Sequence, residues 1–230
     1  MTDEELYITR FSAWALGIEG VAEWNEWAMG RRQMSSGREA PDIAFTDSMF
    51  RRRLSQISKM TIQVVHSLLP LNNHTKMLFL SLRGEISMQY KINKMQIEEG
   101  ALMPAAFSLS VFNAPAALAT MALGLKGGYS AVYPGGNSIS SALITAKAAA
   151  EAAFITGKAE ELVVVYADED LPPEYSSLMP ECHPPLAFSF VLSNKPEAGA
   201  ISLSSMNLGM DSPADFLKSL LLSRGNHVSS

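Results

Sequence analysis

A chain of 230 residues with a net charge of −5 and a pI near 5.4 can bury one substantial core and offers no general attraction to polyphosphate, which argues against nucleic acid as a partner. One cysteine excludes an internal disulfide, and neither a signal-peptide pattern nor an apolar run long enough to span a bilayer is present, so a cytoplasmic protein with no membrane span is expected. Hydrophobic residues at 47% against 18% charged, with 13 methionines, are high for a monomer of this length and point to apolar surface that a partner covers.

"ELYITRFSAW" (5–14) alternates as a strand, and "VAEWNEWAMG" (21–30) predicts a short helix with Trp24, Trp27 and Ala28 at helical spacing. The charged segment 30–48 predicts a loop. From Phe50 to Leu69 the residues Leu54, Ile57, Met60, Val64, Val65 and Leu68 recur at three- and four-residue steps, which predicts one amphipathic helix ended by Pro70. Arg51, Arg52 and Arg53 then fall at that helix's start, where positive charge opposes the macrodipole. "MLFLSL" (77–82) reads as a buried strand, "NAPAALATMALG" (113–124) as a small-residue helix and "YSAVY" (129–133) as a strand. "SISSALITAKAAAEAAFITG" (138–157) is a long Ala-rich helix and "ELVVVYADE" (161–169) a buried strand. This alternation of strands and helices implies parallel crossovers and a layered α/β sheet. After the Pro-rich loop 172–185, "LAFSFVLS" (186–193) and "AISLSSM" (200–206) are spaced for a hairpin at one sheet edge. Ser212 as N-cap, Pro213, Asp215 and a stop at Gly225 predict a C-terminal helix. The division expected is a main domain over 1–211, then a C-terminal helix and tail over 212–230.

"YSAVYPGGNSIS" (129–140) is a strand running through a Gly135-Gly136 turn into a helix, the elbow that often presents a nucleophile at a helix N-terminus. No cysteine stands there. Cys182-His183 offers a nucleophile beside a base, but adjacent residues in an extended "ECHPP" segment point to opposite sides and share a proton poorly, which favours a structural role. Ser138, Ser140 and Ser141 read first as helix-start caps and second as candidate nucleophiles. Trp14, Trp24 and Trp27 read as core packing rather than a ligand cage. His66, His74, His183 and His227 show no metal-ligand spacing and no G-x-G-x-x-G follows a strand, so neither a metal nor a nucleotide cofactor is indicated.

"LMPAAFSLSVFNAPAALATMALGLKGG" (102–128) resembles the segment leading into the active site of β-ketoacyl synthases, where a proline loop, an S-x-x-N turn, a small-residue helix and a G-L-K/R-G turn precede a strand ending at the nucleophilic cysteine. "GKAEELVVVYADE" (157–169) is similar to the family's G-x-A-D-x-x-x-x-G-G-x-E strand. "RFSAWALGIEGVAEWNEWA", "FRRRLSQISKM" and "LSLRGEI" (80–86) are similar to a shorter branch, the half-length ketosynthase-like proteins of aryl polyene gene clusters. The resemblance covers residues 5–194. It implies a thiolase-like half-fold over 1–211, α/β and layered, with a mixed, mostly parallel sheet covered by helices.

The departures from the family carry the functional expectation. Counted from Gly127-Gly128 the family's cysteine falls near Gly135 or Gly136; counted from Gly157 it falls closer to Ser140; no cysteine occupies any of them. The family's two catalytic histidines and lysine belong to a C-terminal half that this sequence does not reach. A decarboxylative condensation needs a thiolate for the acyl chain and donors for the enolate and oxyanion. The resemblance therefore implies a subunit that is not an enzyme on its own: a chain length factor that forms a heterodimer with a full-length β-ketoacyl synthase and shapes its acyl tunnel in polyketide or fatty-acid-like aryl polyene biosynthesis, served by acyl carrier protein. It implies a partner interface at Tyr129, Ala131, Tyr133 and Asn113, and tunnel gating by Ala105, Ala106, Phe107, Ser110, Val111 and Phe112. Many ketosynthases carry phenylalanine where Ala105 and Ala106 stand, so these small residues, with Ala114, Ala116 and Ala117, mean either close packing or room for a long acyl chain. Arg51, Arg52 and Arg53 are candidates for carrier-protein docking. The alternatives are a small acyltransferase or thioesterase using Cys182 or a helix-start serine, and a purely structural stabiliser.

Overall fold

The computed structural model describes residues 5–100, 104–135, 138–176 and 183–226. The chain opens with β1 (Tyr7–Ala15) and α1 (Gly20–Ala28), whose Trp24 and Trp27 rings meet edge to face at 5.4 Å within the core, as the Trp spacing predicts. The helix expected over 50–69 is two helices, α2 (Ser48–Arg51) and α3 (Gln56–His66), because two capping signals interrupt the apolar spacing. The Asp47 carboxylate accepts from the N–H groups of Met49 and Phe50 at the start of α2. The Ser55 hydroxyl accepts from Ser58 N–H at the start of α3. Arg51, Arg52 and Arg53 consequently lie at the C-terminal end of α2, where the dipole favours positive charge.

Next come β2 (Lys76–Leu80), α4 (Ile86–Glu99), α5 (Pro104–Phe107), α6 (Ala114–Leu123) and β3 (Tyr129–Val132). They are followed by α7 (Ser140–Ile155), β4 (Glu161–Asp168), α8 (Pro173–Ser176), β5 (Leu186–Ser193), β6 (Ile201–Ser202), a 3₁₀ turn at Leu203–Ser205, and α9 (Pro213–Asn226). Ser212 caps α9 as its sequence predicts, accepting from Asp215 N–H at 3.3 Å, but the helix runs through Gly225 rather than stopping there. The long helix α4 answers to no element expected from the sequence.

The strands form one sheet in the order β3-β2-β4-β5-β1-β6. β2 pairs parallel with β3 and β4, while β4–β5, β5–β1 and β1–β6 are antiparallel. β1 to β4 therefore share one direction and β5 and β6 the other, which is the mixed, mostly parallel sheet of the thiolase-like half-fold. The hairpin expected between β5 and β6 does not form. β5 is buried at all eight positions and takes the nine-residue β1 as its neighbour, whereas β6 offers two residues and pairs with Tyr7 and Ile8 of β1 on the side away from β5. Alternation along the strands sends Leu80, Val164, Tyr166, Phe188 and Phe190 to a face covered by α1, α7 and α9, and Phe79, Val163, Val165, Ala187 and Val191 to a face covered by α3 and α6. Phe216 of α9 packs on both Phe188 and Phe190. At the entry to β3 a Cβ on Gly127 would lie 2.1 Å from the His74 carbonyl oxygen, so only glycine lets the two chain segments meet there.

Candidate functional site

β3 runs through the buried Pro134 to the exposed Gly135; Gly136 lies outside the described residues, and α7 opens at Ser140. The strand and the helix that flank the elbow are thus in place. Ser140 is not its cap: it is the first helical residue, after Ile139, and its N–H donates to the Ser138 hydroxyl at 3.2 Å. Among the described residues no histidine bonds to Ser138, Ser140 or Ser141. His66 stacks on Phe45 with centroids 3.6 Å apart. His183 places Nδ1 2.7 Å from the Pro184 carbonyl oxygen and Nε2 2.8 Å from the Tyr166 hydroxyl. Burial and the Arg83 guanidinium hold its imidazole below the ordinary value. A serine whose base is absent stays a weak nucleophile. Cys182 lies outside the described residues.

The segment 104–112 is brought against α4. A groove of about 630 Å³ runs between them, with Gln89, Ile92, Asn93 and Gln96 of α4 on one side and Pro104, Phe107, Ser110 and Val111 on the other. That volume falls within the roughly 300–1,000 Å³ typical of sites for small molecules. The Gln89 amide donates to the Ser110 carbonyl oxygen at 3.1 Å and the Ser110 hydroxyl to the Phe107 carbonyl oxygen at 2.9 Å, which pins the segment to the helix. Phe107, Ser110 and Val111 therefore line the groove. Phe112 is turned inward, its ring against Phe79 and over Gly84, where a Cβ would meet the ring at 2.7 Å. Ala106 is half-buried in α5, and the side chain of Ala105 lies outside what is described. α4 is the part of this site that sequence reading missed. Its signals were a helix-forming run and Gly100, which ends it in the left-handed conformation at φ 63°.

β3 is an edge strand, paired with β2 alone. Tyr129 and Tyr133 are exposed, Tyr133 at 59%, as is Phe107 of α5 at 63%. Asn113 donates to the Tyr129 hydroxyl at 3.0 Å, and the Tyr133 ring meets Phe112 edge to face at 6.2 Å, so the strand's aromatics are tied to the segment that lines the groove. Ala131 is half-buried against the core. Arg51 is committed inward, donating to the carbonyl oxygens of Thr46 and Ile43; Arg52 and Arg53 are exposed.

Beyond the C-terminal ends of β2 and β4 lies a buried polar cluster. Asp168 accepts from the Ser81 hydroxyl, the Tyr166 hydroxyl and the N–H groups of Leu82 and Arg83. Glu85 and Glu169 sit beside it, both buried. Burial pushes Glu85 up to about 8, with the Glu169 charge adding to it, and burial pushes Glu169 up to about 7. Among the described residues no three His, Cys, Asp or Glu side chains are grouped to hold a metal, and no helix is long and apolar enough to cross a membrane.

The family described as "Beta-ketoacyl synthase, N-terminal domain" matches residues 24–218. No curated protein matches the chain. Among solved structures, a chain of the complex of the ketosynthase ApeO with its chain length factor ApeC from Xenorhabdus doucetiae is similar at 20% identity and a TM-score of 0.74, covering 94% of this chain and 91% of that one. The ishigamide ketosynthase/chain length factor is similar at 13% identity and a TM-score of 0.63, covering 82% of this chain and 62% of that one. A third likeness, at 13% identity and a TM-score of 0.62, is to AntDE:AntF, a type II polyketide synthase acyl carrier protein in complex with its ketosynthase, covering 82% of this chain and 63% of that one.

Proposed function

The chain belongs to the β-ketoacyl synthase N-terminal-domain family, and from that premise we propose that it is a non-catalytic, chain-length-factor-like subunit. It pairs with a full-length ketosynthase in the cytoplasm through the open edge of β3 and contributes the groove between α4 and 104–112 to the partner's acyl tunnel. The observation that carries this reading is an elbow kept without its chemistry: β3 and α7 stand in place on either side of it, yet the sequence's one cysteine is Cys182, outside the elbow. In a condensation the acyl chain is held as a thioester on a cysteine, the malonyl thioester loses carbon dioxide, and the resulting enolate attacks the acyl carbonyl carbon and expels the cysteine thiolate. The partner supplies those groups and acyl carrier protein delivers both thioesters. This chain's residues bound the space into which the product grows, with Ile92, Phe107 and Val111 as apolar wall and the Gln89–Ser110 hydrogen bond setting its width. The likeness to ketosynthase/chain length factor complexes supports the pairing, and the exposed aromatics of β3 suit a covered edge.

Incubation of the isolated chain with malonyl- and acyl-loaded carrier protein, followed by intact-protein mass measurement, tests this. The expected result is no mass gain. A stable acyl adduct on Ser140 or Cys182 would instead support the acyltransferase or thioesterase reading.

A further inference from the structure

Two carboxyl groups meet out of water where α3, α4 and the end of β4 converge, and the tunnel reading uses neither. Glu85 is 1% exposed and Glu169 2%. Glu85 Oε1 accepts from the Ser55 and Ser58 hydroxyls, both at 2.7 Å, in the first turn of α3, while its Oε2 has no hydrogen-bond partner among the described residues. Glu169 Oε1 accepts from Ser87 N–H at 3.0 Å in the first turn of α4, and the Ile57 N–H of α3 stabilises the same carboxylate. Each acid thus ties α4 to a neighbouring element: Glu85 by standing just before α4 while its side chain reaches α3, and Glu169 from the end of β4.

The charges facing this joint do little to neutralise it. Arg38 from the loop before α2, Tyr90, Lys91 and Lys94 of α4, and Glu174 of α8 surround a cavity of about 560 Å³ that Glu169 lines, and of the cations only Arg38 acts appreciably on Glu169. Arg83 is turned to the Glu169 carbonyl oxygen rather than its carboxylate. Asp168 and Asp170 add negative charge, though their oxygens are engaged elsewhere, Asp168 by Ser81 and Tyr166 and Asp170 by Gly37 N–H. An ionised Glu85 would hold, out of solvent and under the repulsion of the Glu169 charge, an oxygen with no donor among the described residues.

We propose that Glu85 and Glu169, in their protonated state, form a clasp that fastens the N-terminus of α4 to α3 and β4, and that ionising them loosens α4 and the groove it walls. Only the consequence for product length rests on the tunnel reading. Both acids are held above their ordinary value of 4.5, Glu169 at about 7 and Glu85 at about 8, by burial first. The folded chain therefore binds more protons than the unfolded one between 4.5 and 8, and the stabilisation is complete below that window, erodes as pH rises through it, and is gone above it.

Amide hydrogen exchange of residues 86–99 in the full chain, corrected for the intrinsic pH dependence of exchange and followed from pH 6 to 9, reads the clasp directly. One linked proton changes an opening equilibrium by at most about tenfold per pH unit, so α4 protection should fall by about tenfold or more over this range while β4 keeps its protection. Glu85→Gln, which stays neutral and keeps an oxygen for Ser55 and Ser58, should make the fall shallower, because only Glu169 is left to titrate; Glu169→Gln gives the same comparison should the first variant not fold. A flat profile in the unmodified chain, or an undiminished fall in a folded glutamine variant, would overturn the proposal. Exchange is measured without product, so a titrating α4 in a chain whose groove substitutions leave product length unchanged would sink the tunnel reading and leave the clasp standing.

Discussion

Asp168 accepts four hydrogen bonds at a point closed to water, from Ser81, Leu82, Arg83 and Tyr166. It thereby fixes the turn by which β2 hands over to α4. Replacing it by alanine takes the acceptor from the Ser81 hydroxyl and Leu82 N–H, while the Tyr166 hydroxyl keeps His183 Nε2 and Arg83 N–H keeps the Ser81 hydroxyl oxygen, and breaking a buried charged network of this kind costs about 3–5 kcal/mol. Tyr166→Phe removes one hydroxyl and keeps the ring stacked on Phe188, so it should cost only about 1–2 kcal/mol. Urea unfolding of the two variants checks the order; an Asp168→Ala chain as stable as the unmodified one would show that the turn is held by other contacts. None of this was legible from the motifs, since the family-like strand ending "YADE" marks Asp168 and Glu169 as a pattern and says nothing of which donors the fold delivers to them.

At the scale of elements, the groove depends on α4 and 104–112 together, so a change on either side should have the same effect. Val111→Phe and Ile92→Phe each place extra bulk in the groove, and overpacking of about 1–3 kcal/mol is too little to undo the fold. Both should shorten the product by about one or two extension cycles in an intact complex, whereas Arg52→Ala should leave length unchanged. Product profiling by mass and absorbance decides it, and an unchanged product from both groove variants would contradict the tunnel reading. The elements behind this site were unevenly legible. α6 and α7 announce themselves because each buries one face, and β4 because it is buried on both and reads as a continuous apolar run. None of the residues of α4 is buried in this chain, so it carries no apolar stripe, and propensity with a C-terminal glycine was its only mark. The run 50–69 shows the converse: continuous apolar spacing hid the end of α2 at Arg51 and the Ser55 cap that starts α3. The β5–β6 hairpin was misplaced because loop length alone favoured it, while the long β1 that takes the place beside β5 is distant in sequence.

Over the whole molecule, one face of the sheet is sealed by α1, α7 and α9 and the other by α3 and α6, while the β3 edge and α4 remain open. An open parallel edge flanked by exposed aromatics is what a covered interface leaves behind when one partner is viewed alone. The central claim is that this edge pairs with a ketosynthase, and native mass measurement of the chain co-expressed with the ketosynthase of its own gene cluster tests it most directly. The account predicts a complex holding one copy of each chain, abolished by Tyr133→Asp, because an unpaired charge in an apolar interface costs about 3–5 kcal/mol. The exposed Tyr133 leaves the free variant folded with an unaltered unfolding midpoint. A chain that stays alone beside that ketosynthase, or a complex that forms unchanged with Tyr133→Asp, would contradict it.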